Sequence, residues 1–293
     1  MNRLVRAELY KLRTTSLVWT FVTANVLTTA VVLTVNCVQA NSLLKSFTEF
    51  VKLSTHHHDD QPHADFLARL RDDWTLGHSA VTQAAKIYTS GQLIGVLLAC
   101  LLGIVLVTSE YHHQTATSTF LLTPRRTPVL AAKLLAALIA AGIAWLASTL
   151  ISVVTGVVFL HNEGYASQLS HWGVERALLL NLAAYLVWAL FGIGFGALVR
   201  SQLGATVSAT VLYLVGAAAA GAVFDLLSQY VFNSDSVLAW QVIVPAVAST
   251  IMISPTKTFT QSPDQWVGAA VLIGYSVLFG LLGLRALKRR DIA

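Results

Sequence analysis

Charge is what this 293-residue sequence is short of: 11% of its residues are charged, 55% are hydrophobic, and the mean hydropathy is +0.66. A soluble domain carries about a quarter of its residues as charges, so this chain cannot cover itself with a water-facing surface. Its solvent is lipid. With 6 prolines and 18 glycines there is too little of either for a collagen-like or disordered chain, and no low-complexity stretch separates domains. The 2 cysteines, Cys37 and Cys100, lie in apolar runs and read as small buried side chains, which leaves the redox compartment open.

Catalytic signatures are missing too. No glycine-rich loop ends in Gly-Lys-Ser/Thr, which excludes ATP binding through a P-loop, and neither His-Glu-x-x-His nor Gly-x-Ser-x-Gly occurs. Gly192, Gly194 and Gly196 follow no strand and fall inside an apolar run, so they read as close helix packing rather than as a dinucleotide fingerprint. Gly216 with Ala220, and Gly280 with Gly283, have similar spacing.

What the sequence has in abundance is long apolar runs. Crossing the hydrocarbon layer takes about 20 apolar helical residues, because every backbone polar group must be satisfied within the segment. Six stretches qualify: Ser16 to Val38, Thr89 to Ser109, Val129 to Leu160, Ala177 to Val199, Leu203 to Leu226 and Gln265 to Leu284. A seventh run, Val237 to Ser254, is interrupted by Pro245 and closed by Pro255, and reads as a broken helix in or dipping into the outer interface. The first run, with Val38-Gln39-Ala40 at its end, resembles a secretory signal but is 23 residues long against a usual core of about 7 to 15. It is read as a permanent span.

Orientation follows from Lys and Arg beside the spans. With both termini cytoplasmic, the inner side carries twelve Lys and Arg and three acids, and the outer side seven and eleven. The excess of +5 is thus explained by topology and anionic lipid, without nucleic acid. The expected fold is an all-α polytopic membrane protein, residues 1–293 forming one transmembrane domain. Residues 1–15 form an interfacial helix, with Leu4, Val5 and Leu12 set among Arg3, Arg6, Lys11 and Arg13. Residues 39–88 form an extracellular helical cap with apolar patches such as Phe66, Leu67, Leu70 and Trp74, 110–128 a cytoplasmic loop, and 227–264 an extracellular loop holding the broken helix.

Side chains with functional chemistry are few. His56, His57, His58 and His63, with Asp59 and Asp60, could bind zinc, copper or nickel or could form a solvated polar loop, and no second ligand cluster closes a four-ligand shell. Within the spans the mid-membrane polar groups are neutral. Lys133 and Asp225 lie near span ends and are expected to reach water by snorkelling. Asn25, Thr28, Thr29 and Asn36 recur at helical spacing along the first span, and Thr206, Thr210 and Tyr213 along the fifth. Either stripe is glue between helices or the lining of a route, and both faces should point at protein. A carrier coupled to protons or sodium normally keeps an acid or His at mid-membrane, and none is found.

The opening MNRLVRAELYKLRTTSLVW and the stretch EYHHQTATSTFLLTPRRTPVLAAKLLAA resemble the membrane subunit of a bacterial type-2 ABC transporter, of the drug, antibiotic and peptide export group. Glu8, Lys11 and Thr15 match that family's Glu-x-x-Lys-x-x-x-Thr-like start, and Glu110, Tyr111, Thr115, Pro124, Arg125, Arg126 and Lys133 match its loop pattern. His112 and His113 stand in place of an Arg-rich pair, and Gln114 where Gly is common. The resemblance covers essentially the full chain and implies a permease that moves a hydrophobic or amphipathic substrate. It also implies a second permease copy, more readily identical than different, and two separate ATPase subunits that carry ATP and Mg, no cofactor being bound by the chain itself. Glu110, Tyr111, Thr115, Arg125 and Arg126 would then couple the chain to the ATPase. Two other classes stay open: an ion-coupled secondary carrier, and a non-transporting membrane protein with a metal-binding outer loop.

Overall fold

A computed structural model of the chain describes residues 2–14, 16–56, 80–112, 126–199, 201–232, 234–256 and 261–289. Among these every regular element is a helix: α1 (Asn2–Thr14), α2 (Leu17–His56), α3 (Ala80–Tyr88), α4 (Gln92–His112), α5 (Arg126–Asn162), α6 (Trp172–Val199) and α7 (Gln202–Leu226). After α7 come a π-helical turn (Leu227–Phe232), a 3-10 helix (Asp235–Ile243), α8 (Pro245–Ile253) and α9 (Gln265–Arg289). Six described stretches are long and apolar enough to cross a membrane: Leu17–Lys45, Ala80–Ser109, Ala131–Asn162, Trp172–Val199, Gln202–Phe232 and Gln265–Ala286. The protein is an all-helical, multi-pass membrane protein, and its surface agrees. Leu27, Val31, Val154, Leu203 and Val211 are among the large apolar side chains left exposed, which lipid solvates and water does not. Exposed Trp172, Trp240, Trp266 and Tyr230 stand at helix ends, where amphipathic rings match a membrane-water boundary.

Helix boundaries depart from the apolar runs where nothing stops a helix. α2 continues to His56, 18 residues past Val38, because neither glycine nor proline interrupts Leu17–His56. Its 40 residues span about 60 Å, twice the hydrocarbon thickness of about 30 Å, so α2 also supplies the first part of the 39–88 loop. The second span begins at Ala80 rather than Thr89: α3 precedes α4 across a tight turn at Thr89–Gly91. The polar Gln83 and Lys86 conceal that start in a hydropathy reading. The remainder of the expected cap, with Phe66, Leu67, Leu70 and Trp74, lies outside the described residues.

The 3-10 helix and α8 meet at a 105° bend, with Pro245 in the first turn of α8 where a missing N–H costs nothing. The second half of this broken element is not a surface helix. Ala248, Ser249, Ile251 and Met252 are buried at 2% exposure or less, so α8 turns back into the bundle. α9 is tied to its end through the Gln265 amide, which donates to the Ser254 carbonyl.

Small residues set the helix spacing. Ala132, Ala136, Ala137, Ala140, Ala141 and Ala144 form the buried face of α5. A Cβ at Gly192 would collide with the Cys100 carbonyl, at Gly196 with the Ile104 backbone at 3.0 Å, and at Gly194 with the Phe279–Gly280 backbone at 2.6 Å. Gly283 packs on the Gly194 carbonyl in return. A Cβ at Gly216 is freer, meeting only Val244 at 3.8 Å, and at Gly280 it would point into open space although the Gly280 backbone packs on Gly194. An aromatic chain from Tyr213 through Trp188 and Phe191 to Phe279, with ring centroids 5.0 to 5.5 Å apart, joins α7, α6 and α9.

Lys133 does not snorkel. Its Nζ lies 3.2 and 3.1 Å from the two carboxylate oxygens of Glu8 on α1, with side-chain exposures of 6% and 9%. α1 is amphipathic as expected, with Leu12 and Glu8 turned inward and Arg6, Lys11 and Arg13 outward. Ser16, at φ 52°, then turns the chain into α2. Asp225 is exposed near the end of α7.

Candidate functional site: a polar core at the broken second span

The break at Thr89–Gly91 lies at the centre of a buried polar network drawn from five spans and α8. Thr89 and Ser90 turn their hydroxyls back to the carbonyls of Ala85 (2.8 Å) and Ile87 (2.6 Å), competing with the helix ladder and easing the break. Gly91 follows because a Cβ there would sit 2.7 Å from Ser148 Cβ and 3.0 Å from the Thr29 hydroxyl. One turn on, a Cβ at Gly95 would overlap the Tyr185 hydroxyl. The two glycines make room for that phenol.

Tyr185 is fully buried on α6 and donates to the Gly91 carbonyl at 2.7 Å, with Asn25 Oδ1 and Ser148 Oγ each 3.3 Å away. Asn25 Nδ2 in turn donates to the Ala144 carbonyl at 2.8 Å. Gln92 reaches across to α8, its Nε2 lying 2.9 Å from the Ser249 carbonyl and 3.1 Å from its hydroxyl, to which Trp188 Nε1 also donates at 3.2 Å. Tyr213 donates to the Leu93 carbonyl at 2.7 Å. One helical turn along from Ser148 and Tyr185, Ser152 and Asn181 are buried, each with a side-chain oxygen that has no hydrogen-bond partner among the described residues.

Of the first-span stripe, Asn25 and Thr29 lie inside this network, Thr29 donating to the Asn25 carbonyl at 2.6 Å. Thr28 is half-buried and bonds the Ala24 carbonyl, and Asn36, also half-buried, donates to Ser90 Oγ at 2.8 Å. These groups hold helices of this same chain together. On α7, Tyr213 is buried, while Thr206 and Thr210 are half-buried with hydroxyls on the carbonyls of Gln202 and Thr206.

The family model described as a protein of unknown function, DUF2705, matches residues 59–293. The chain belongs to the DUF2705 family. No curated protein matches it. The matched range opens just past α2, so everything from α3 to α9, including the broken second span, Tyr185 and α8, falls inside the family region.

Chemically this DUF2705 core is neutral. Its groups are amides, hydroxyls, phenols and an indole, which can orient a polar group or a water without moving a charge. Among the described residues no three His, Cys, Asp or Glu side chains come together to hold a metal. His56 is the last residue of α2, and His57, His58 and His63 lie outside the described residues. Thr115 and Arg125 lie outside them as well. Glu110 and Tyr111 fall in the last turn of α4 and Arg126 is the first residue of α5. Glu110 is thus near a helix C-terminus, because α4 runs three residues beyond its apolar stretch.

Tyr185, Gln92, Trp188 and Ser249 escape a reading based on the stripes of the first and fifth spans, since they lie on other helices. Their signal is the polar tip itself: a phenol or indole N–H in mid-span must find a partner inside the protein. Tyr185→Phe leaves Asn25 Oδ1 and Ser148 without their phenol. At about 0.6 kcal/mol for an interhelical bond in a membrane protein, rising to about 1.7, the loss is expected near 1–2 kcal/mol. A lowered melting midpoint in detergent, with unchanged expression, is the expected reading. An unshifted midpoint would mean that the phenol contributes nothing.

Proposed function

We propose that the chain is the membrane-spanning permease subunit of an ATP-driven ABC exporter, working with a second permease copy and two ATPase subunits beneath it. Its cargo is hydrophobic or amphipathic, and both termini face the cytoplasm. The observation that carries the reading is the Glu8–Lys133 pair. The resemblance rests on two pieces of sequence, the opening and the loop pattern, which contribute Glu8 and Lys133, and these residues 125 apart form a buried ion pair. The pair fastens α1 to the start of α5, next to the segment that joins α4 to α5. A push on that segment from an ATPase is then shared by the third span and α1 as one body. The neutral core supports the same reading, since a transporter with no charged coupling group in its core takes its energy from a partner.

Glu110 stands in the last turn of α4, where it suits a docking role. A carboxylate at a helix C-terminus opposes the macrodipole by about 0.3–1 kcal/mol, so a cationic partner relieves it. Arg125 and Arg126, on the other side of the segment, offer the complementary charge to acidic groups of the ATPase or to lipid phosphate. With Glu110, Arg125 and Arg126 all changed to Ala, the complex purified with its ATPase is expected to hydrolyse ATP yet lose most of its transport into vesicles. Full transport at normal expression would refute the assignment.

A further inference from the structure

Beside the polar core is a cleft of about 340 Å³ between α2, the broken second span and α8, in the half of the bundle away from α1. Val32 and Asn36 of α2, Ala85 and Lys86 of α3, Leu93 of α4 and Ile253 of α8 line it. Small-molecule pockets start at about 300 Å³, so there is room for one slender molecule. Four hydroxyls around the cleft already donate elsewhere: Thr89 to the Ala85 carbonyl, Ser90 to Ile87, Thr250 to Val247 and Ser254 to Thr256. They present the cleft with lone pairs, not protons. Lys86 differs. Its ammonium is exposed on the cleft wall and has three protons, one of them donated to the neutral Gln39 amide at 3.1 Å, and no ion pair among the described residues involves it. A cation standing over a cleft whose accessible wall is mostly apolar selects an acid head with an apolar tail.

We propose that this cleft binds one molecule of a single-chain anionic amphiphile, its acid group at the Lys86 ammonium and its chain along Val32, Leu93 and Ile253. The head is a carboxylate or a phosphate monoester. The volume encloses one chain, so a diacyl lipid would leave its second chain outside, and a cationic amphiphile meets Lys86 with like charge. Binding here is a property of this chain alone and does not depend on an ATPase or on transport.

The test uses the full-length chain in nanodiscs of zwitterionic lipid, titrated calorimetrically with laurate, dodecyl phosphate and dodecyltrimethylammonium. One saturable site is expected for the acids, about tenfold or more tighter than for the cation, the tighter acid naming the head group. Lys86→Gln should weaken acid binding about tenfold and Lys86→Arg should keep it. Because Lys86 is exposed, the Gln variant should fold, as its melting midpoint will report. Val32→Trp, which fills the cleft, should abolish binding. A photoreactive fatty acid should label residues 82–93 and 250–255 in the wild type. Equal affinity for the cation, unchanged binding in Lys86→Gln or Val32→Trp, labelling elsewhere, or displacement by a diacyl anionic lipid as effective as by laurate would each overturn the proposal.

Discussion

Lys133→Met is expected to destabilise the protein by about 3–5 kcal/mol and to release α1 from the bundle. Removing one partner of a buried ion pair leaves the other charge without compensation, which is why this cost exceeds that of an exposed pair several-fold. The Glu8 carboxylate left behind is 9% exposed, and Lys11, 4.0 Å away and half exposed, answers only part of its charge. The effect of Lys133→Met therefore falls toward the lower end of the range. Glu8→Gln with Lys133→Met together should recover most of the loss, because two neutral side chains of similar volume no longer carry a desolvation penalty. Two measurements check this: the melting midpoint in detergent, and the rate of trypsin cleavage at Arg6, Lys11 and Arg13, which should rise in either single variant and fall back in the double. Equal midpoints for all four proteins would remove the pair from any structural role, and with it the main support for α1 and α5 moving as one body.

Gly192→Leu should be worse. At this position α6 and α4 meet backbone to backbone, and a Cβ would collide with the Cys100 carbonyl, an atom that cannot rotate away. Gly103, facing the Ala189 carbonyl from the other side, leaves α4 no room to shift. Overpacking a well-packed core usually costs about 1–3 kcal/mol and more where backbone must move, so more than about 3 kcal/mol is expected, seen as loss of monodisperse protein on size-exclusion chromatography. Gly142→Leu and Gly274→Leu are the matched controls: each Cβ meets open space, and each change should stay within about 0.5 kcal/mol. If Gly192→Leu purifies and melts like Gly142→Leu, helix contact at residue 192 is not what holds α4 against α6.

The sequence by itself determined the solvent, the number of described spans, the amphipathic α1 and the close packing at Gly192, Gly194 and Gly196. These are properties of composition and of apolar length, which act over one helix at a time and need no neighbour to be read. Proline showed where the element between α7 and α9 breaks, since a missing N–H is local as well. Helix ends were less legible: the apolar run stopped at Val38 while α2 goes on to His56, and Lys86 concealed the start of α3, because hydropathy marks where lipid ends and hydrogen bonding marks where a helix does. Tertiary structure alone decided the partners. Lys133 had the appearance of a snorkelling cation until Glu8, 125 residues away, was brought beside it. Asn25 and Thr29 formed a stripe with two readings until Tyr185, Ser148 and the break at Gly91 enclosed them. The physical reason is the same in each case: a polar group in a lipid-solvated protein must be satisfied, which a sequence reveals as a requirement, while the group that satisfies it is fixed only by which helices lie side by side.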